Sequence, residues 1–441
     1  MTAPALDLLL RGGNLLTSAG VTRADIGVRD GKIVALGDLE LERAALTVKA
    51  EHLHIMAGAI DTQVHFREPG LEHKEDLATG TAAAIAGGIT SVLEMPNTQP
   101  PTLDAAALAD KLARASGRAW CDHAFYVGAS PSNVDSLAAL ERLPGCAGVK
   151  LFMGSSTGGL LVADDETIAR VLASGRRRIA VHAEDEARLR ERRALIGAGA
   201  TAAMHPVWRD AETALRATQR LLTLAERAGR RVHVLHVTTA EEVALLGRHR
   251  ALASVEVTPQ HLTLAAPHCY QALGTLAQMN PPIRDERHRA ALWEAVRDGR
   301  VDVIGSDHAP HTLAEKARAY PESPSGMPGV QTLLPLLLDH AATGRLPLAR
   351  IPDLMSEGPA RVFGIAGKGF LRAGYDADFS LIDLAERWTV EKSWLRSRCG
   401  WSPFEGMKLT GKPVMTVLRG RIAMRDGELI GAPTGEPLRF A

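Results

Sequence analysis

Ile60-Asp61-Thr62-Gln63-Val64-His65-Phe66 is a short apolar run interleaved with polar side chains, and it opens the largest block of the chain. The two-residue period of an extended strand places Asp61, Gln63 and His65 on one face. Further apolar, often β-branched runs follow at Ile89–Met95, Cys121–Val127, Gly148–Phe152, Ile179–Ala183, Val232–Val237, Ser254–Thr258 and Val301–Ser306. Most are separated by longer stretches rich in Ala, Leu, Glu and Arg, which read as helices. Eight such strands alternating with helices predict an α/β protein built on a parallel (β/α)8 barrel of the TIM type.

The polar residues of this block favour one end of each run, the end where the loops of such a barrel build an active site. His65 ends the first run, Asn97 follows the second, Lys150 and His182 sit on the fourth and fifth, His236 on the sixth, and Asp307 closes the eighth. The flanks differ. Leu6–Leu46 and roughly Gly374–Ile430 carry short alternating runs with Asp-Gly turns at Asp30-Gly31 and Asp426-Gly427, as β-hairpins do. Neither flank has enough strands to be stable alone, so a small β-sandwich made from both termini is expected beside the barrel. The expected boundaries are 1–55 and 371–441 for that domain and 56–370 for the barrel.

Composition narrows the class. Lys+Arg and Asp+Glu both total 51, which leaves no net field to attract nucleic acid or an anionic membrane surface. A small-molecule substrate is the expected partner. Cys121, Cys146, Cys269 and Cys399 are scattered without paired spacing, which argues against a disulfide framework or a thiolate zinc site and fits a reducing cytoplasm. The longest apolar run, near Val330 to Leu338, is far too short to span a bilayer. Met1 to Leu10 lacks the basic region of an export signal.

Each chemical candidate has a plain structural alternative. Lys150 lies in the apolar run Gly148-Val149-Lys150-Leu151-Phe152, where an ammonium is costly unless it is paired, modified or reaches solvent. A lone His182 or His236 is most often structural, and a lone Asp307 equally caps a helix. As a group they suit a metal centre, because imidazole and carboxylate are good zinc ligands and a carboxylate also accepts a proton from water. Gln63 does not fit that pattern, since a neutral amide is a poor zinc ligand.

The run from His65 to Gly70, Met95-Pro96-Asn97-Thr98, Met279-Asn280-Pro281-Pro282-Ile283-Arg284 and Ser306-Asp307-His308-Ala309-Pro310-His311 together resemble the dihydroorotases, cyclic amidohydrolases of the amidohydrolase superfamily. The resemblance extends to Gly374-Tyr375-Asp376-Ala377-Asp378, where that family returns from barrel to β domain. It implies that Lys150 is carboxylated and bridges metals, that His182 and His236 hold one ion, and that His65 and Asp307 hold the other. It further assigns Arg67, Asn97 and His311 to a substrate carboxylate and Asn280 to the pyrimidine ring. Gln63 replaces the first His of the family's paired-histidine motif, so one or two Zn2+ per chain are expected, with the weaker position depleted.

The resemblance implies reversible cyclisation of N-carbamoyl-L-aspartate to L-dihydroorotate in pyrimidine synthesis, with Asp307 as general acid and base. Two alternatives stay open: another cyclic amidohydrolase of the hydantoinase or allantoinase type, or a non-catalytic partner of aspartate transcarbamoylase. A homodimer is the expected assembly by base rate. Residues 312–328, rich in Pro, Ser and Gly, read as a lid over the substrate or as an ordinary long surface loop.

Overall fold

The computed structural model describes residues 6–156 and 159–441; the first five residues of the N-terminal flank lie outside them. Eight parallel strands run in sequence order around one sheet: Ala59–Val64, Ile89–Glu94, Asp122–Gly128, Cys146–Phe152, Ile179–His182, Val232–Val234, Ala253–Val257 and Val303–Ile304. Between the last and the first, His65 N donates to His308 O at 2.7 Å and Ser306 N to Asp61 Oδ1 at 3.0 Å, which brings the ring close to closure. The expected barrel is therefore observed. Its sixth and eighth strands are shorter than their apolar runs, and beyond their ends the chain turns into left-handed backbone at His236 (φ 38°) and Asp307 (φ 45°).

The helices around the ring start on acidic caps. Asp104, Asp164, Asp185, Asp210 and Asp285 each accept from a backbone N–H three residues on, a contact worth about 1 kcal/mol per helix. The longest helix, Ala211–Ala228, buries Ala214, Ala217, Leu221, Leu222 and Ala225 along one stripe and stops at Gly229, whose φ of 60° suits a residue without a side chain. The strands carry Val92, Val127, Val149, Leu151, Val181, Val234, Val255 and Ile304 into the core, all buried. Each contributes about 1.5–3 kcal/mol by leaving water.

The second sheet draws nine strands from both termini. Its central strand, Leu6–Thr17, pairs with Ala44–Lys49 through its first half and with His54–Ala57 through its second, so the sheet forks. Leu8, Leu10, Ile26, Ile55, Phe379, Leu381 and Val417 fill the space between its branches. Both expected Asp-Gly turns form, with positive φ at Asp30, Gly31, Asp426 and Gly427, as two-residue hairpin turns require. A third turn of this kind, Arg419-Gly420, is invisible to the Asp-Gly signal; Arg419 is held there by its ion pair to Asp122 and by its N–H on Asp378 Oδ1 at 2.7 Å.

Asp122, Asp376 and Asp378 form the one cluster among the described residues whose His, Cys, Asp or Glu ligand atoms have metal-like spacing. A cation already fills it: Lys368 Nζ lies 2.5, 2.9 and 2.6 Å from their carboxylates. Burial alone lowers a lysine, but these carboxylates outweigh it and raise Lys368 above the usual range. Asp122 starts the third barrel strand, so this knot fastens the β domain to the end of the barrel away from the catalytic loops. No helix among the described residues is long and apolar enough to cross a membrane.

Candidate active site

At the C-terminal mouth of the ring, a narrow cavity of about 20 Å³ opens onto a vestibule of about 490 Å³, with Ser156, Asn280 and Ser325 bordering both. Lys150 reaches the cavity from the fourth strand, wholly buried, with no hydrogen-bond partner on Nζ and the face of Phe152 4.4 Å away. Burial pushes its ammonium down to about 7, only partly opposed by Asp307 and Glu256. A large share of the side chain is therefore neutral amine near neutral pH.

His182 Nδ1 and His236 Nε2, from the fifth and sixth strands, converge at 3.0 Å. The far nitrogen of His182 lies 3.0 Å from Glu184 Oε2, in an ion-pair contact rather than an aligned hydrogen bond. Burial opposes ionisation of Glu184, but Arg209 outweighs it and holds the carboxyl below the usual range. This carboxylate turns the ring of His182 so that Nδ1 faces the cavity, as second partners of metal-binding histidines do.

Asp307 completes the group. His65 Nε2 lies 3.2 Å and Gln63 Nε2 3.0 Å from the same oxygen, Oδ1. His65 Nδ1 in turn meets Asn97 Oδ1 at 2.7 Å. Three residues of this wall, Arg67 (φ 66°), His236 (φ 38°) and Asp307 (φ 45°), hold left-handed backbone without being glycine. The other three such residues in the described chain, Asp30, Arg419 and Asp426, lie in the hairpin turns above. Strain outside turns is thus confined to this cavity, a pattern of functional sites.

The donor set fits a metal ion. Lys150 Nζ is a buried polar atom without a hydrogen-bond partner, and the nitrogens that His182 (Nδ1) and His236 (Nε2) bring together meet only each other, beside His65 and Asp307. A buried amine without a partner, next to two imidazoles that meet only each other, is costly unless something binds them. At the His65–Asp307 position, Gln63 turns its amide N–H rather than a ring nitrogen toward Asp307.

Of the residues singled out in the sequence, His65, Lys150, His182, His236, Asp307, Arg67, Asn97 and Asn280 all line the cavity. His311 does not. It is wholly buried behind Arg67, with Nδ1 3.1 Å from Lys74 Nζ and Nε2 3.0 Å from Ser325 O. Lysine only donates, so Nδ1 is the acceptor and Nε2 carries the proton given to Ser325 O. Burial, with Arg67 and Lys74 nearby, pushes the imidazole well below its usual range, in keeping with a neutral ring.

Asn280 is oriented by His205, whose Nε2 lies 2.9 Å from Asn280 Oδ1, so its amide N–H2 faces Ser156. Residues 312–328 are anchored rather than loose. Lys316 Nζ donates to Gln278 O, Pro324 O and Gly326 O at 3.1, 2.9 and 3.0 Å. Burial pushes this lysine down toward about 7, yet three carbonyl acceptors require three N–H donors, which only the ammonium has. Sequence reasoning placed Asp61 on the face of Gln63 and His65 but gave it no role, and it did not single out Glu184, Arg209 or Lys316. Glu184, two residues beyond His182 at a buried strand end, was the most accessible of these from sequence.

The sequence profile of the amidohydrolase family matches residues 54–423, and the chain belongs to that family. It is a hydrolase that acts on cyclic amides. The dihydroorotase of Methanosarcina acetivorans is 34% identical, with 97% of this chain and 94% of that protein aligned. The allantoinase of Rubrobacter xylanophilus is 37% identical over 99% of this chain and 98% of its own length. Among solved structures, the L-hydantoinase of Arthrobacter aurescens superposes with a TM-score of 0.93 at 31% identity, covering 98% of this chain and 99% of that one.

Proposed function

We propose that the enzyme is a dihydroorotase, closing N-carbamoyl-L-aspartate to L-dihydroorotate and opening that ring in reverse. Arg67 carries the reading. Its guanidinium is buried at the cavity wall, and no Asp or Glu among the described residues pairs with it. Nε donates to Pro310 O at 3.1 Å, while Nη2 meets only His311 Nε2 at 3.3 Å. That nitrogen already carries a proton, so Nη2 has no acceptor there. Burial pulls Arg67 down to about 10, which still leaves it charged at neutral pH. A buried, unpaired cation is costly, and an incoming carboxylate matches its rigid fork of donors. Dihydroorotate carries such a carboxylate; hydantoin and allantoin do not.

The remaining roles follow from position. Asn97, beside Arg67, completes the carboxylate site, and the amide N–H2 of Asn280 addresses the ring. His311 supports the carboxylate site from behind, by fixing Ser325 and the loop that bears it. Lys150, as a neutral amine, adds CO2: an N–C bond forms, one proton leaves the nitrogen, and the neutral amine becomes a carbamate anion. With His182 and His236 this carbamate would hold Zn2+, which supplies Lewis acidity at the ring carbonyl and acidifies water. Asp307 takes the proton released by water on Oδ2, the oxygen that none of the described residues hydrogen-bonds, and returns it to the leaving ring nitrogen. The narrow cavity limits competing water.

The test is turnover of dihydroorotate, hydantoin and allantoin by zinc-supplied protein, with and without a chelator. Chelator-sensitive opening of dihydroorotate at least tenfold faster than the other two is expected. Preference for hydantoin or allantoin would assign Arg67 to another anion and overturn the reading.

A further inference from the structure

Gln63 occupies the position where the cavity holds His65 and Asp307, yet its geometry is that of a donor. Its side chain is buried, and Nε2 donates to Asp307 Oδ1 at 3.0 Å while Oε1 has no partner. The opposite amide orientation would place Oε1 against a carboxylate, so the chemistry fixes the assignment. The backbone beneath it is equally fixed. Asp61 Oδ1 accepts from Gln63 N at 3.2 Å and from Ser306 N at 3.0 Å, which ties the first strand to the residue preceding Asp307. Asp307 itself sits on left-handed backbone (φ 45°), spanned by the hydrogen bond from His308 N to Ser306 Oγ at 3.0 Å.

We infer that Gln63 is a positioning residue, an amide clamp that fixes Asp307 by donating to Oδ1 and so directs Oδ2 at the reacting proton. The inference rests on the role given to Asp307 above. Gln63 and His65 both reach Oδ1, and none of the described residues hydrogen-bonds Oδ2. An amide does not titrate, so the clamp holds whether Asp307 is ionised or protonated. An imidazole at this position would share its lone pair with a metal ion; the amide secures the proton carrier instead.

Gln63→Met keeps the length of the side chain and removes both amide atoms, and Gln63→Glu keeps its shape while removing the donor. Each is assayed on whichever ring of the dihydroorotate, hydantoin and allantoin panel the wild type opens, so an error in the assigned substrate does not touch this test. For Q63M the expectation is wild-type zinc per chain by elemental analysis, a nearly unchanged Tm, KM within about threefold, and kcat lower by roughly 10- to 100-fold, the range of one hydrogen bond to a charged group. Q63E should lose at least as much kcat, which keeps the test open should Q63M fold poorly. Turnover at the wild-type level in either folded variant would overturn the clamp. So would a fall in zinc content that parallels kcat in Q63M, because Gln63 would then be a metal ligand.

Discussion

Arg67→Met removes the guanidinium and keeps an apolar stem of similar length, which makes it the sharpest probe of the carboxylate site. The guanidinium is buried and lacks a carboxylate of its own. Losing one partner of a desolvated, hydrogen-bonded charge pair costs about 2–5 kcal/mol, or roughly 30- to 5,000-fold in kcat/KM at about 1.36 kcal/mol per decade. Asn97 and Asn280 remain in R67M, so a loss of roughly 100-fold on dihydroorotate is expected. Hydantoin has no carboxylate to miss, and its turnover should change by less than about threefold. Steady-state kinetics on both rings separate the two effects. Stability adds a second readout: the fold loses the Nε bond to Pro310 O but also a buried charge that Asp307 and Glu94 offset only from a distance, so Tm should hold or rise. Dihydroorotate turnover within threefold of wild type, or a Tm drop beyond about 4 °C, would show that the guanidinium serves the fold rather than the substrate.

Asp307→Asn should fold and keep zinc at the Lys150–His182–His236 position yet lose roughly 10²- to 10⁴-fold in kcat, read by steady-state kinetics and elemental analysis; near-normal rates would remove Asp307 from proton transfer. Burial pushes the Asp61 carboxyl up to about 7 against hydrogen bonds from Ser306 and Gln63. Its protonated form is favoured in the folded state, so that contribution is complete below the unfolded value of 3.8 and is lost as pH rises through about 7. Urea midpoints should therefore fall between pH 5 and pH 8 and fall less in Asp61→Asn; equal slopes would show that other groups set the dependence. Lys316→Met leaves three carbonyl oxygens without their donor, which should cost about 3 kcal/mol or more and speed protease nicking within residues 317–325. Unaltered nicking would mean that the loop is held by other contacts.

Much of the architecture was legible because the barrel depends on local periodicity. Each apolar run met its strand to within a few residues, and the Asp-Gly turns formed where a Cβ tolerates positive φ least badly. The misreadings have specific causes. Arg419-Gly420 escaped because a contact to Asp122, on a distant strand, stabilises a backbone that arginine does not choose by itself. The sixth strand stops early where His236 takes left-handed backbone within a run that otherwise reads as extended, and Asp307 does the same just past the eighth run. His311 matched a motif, but Lys74 and Ser325 from other loops claim both of its nitrogens and set it behind Arg67.

The sequence by itself determined which side chains sit at strand ends, since period and polarity are properties of neighbouring residues, and its motifs pointed to a cyclic amidohydrolase. Only the tertiary structure decided what those side chains do to one another. Gln63 and Asp307 are 244 positions apart and meet at 3.0 Å, and Arg67 is starved of acceptors by a tautomer that Lys74 imposes on His311. Hydrogen-bond direction and ion pairing depend on separations of a few ångströms between segments remote in the chain, and those separations exist only once the barrel has closed.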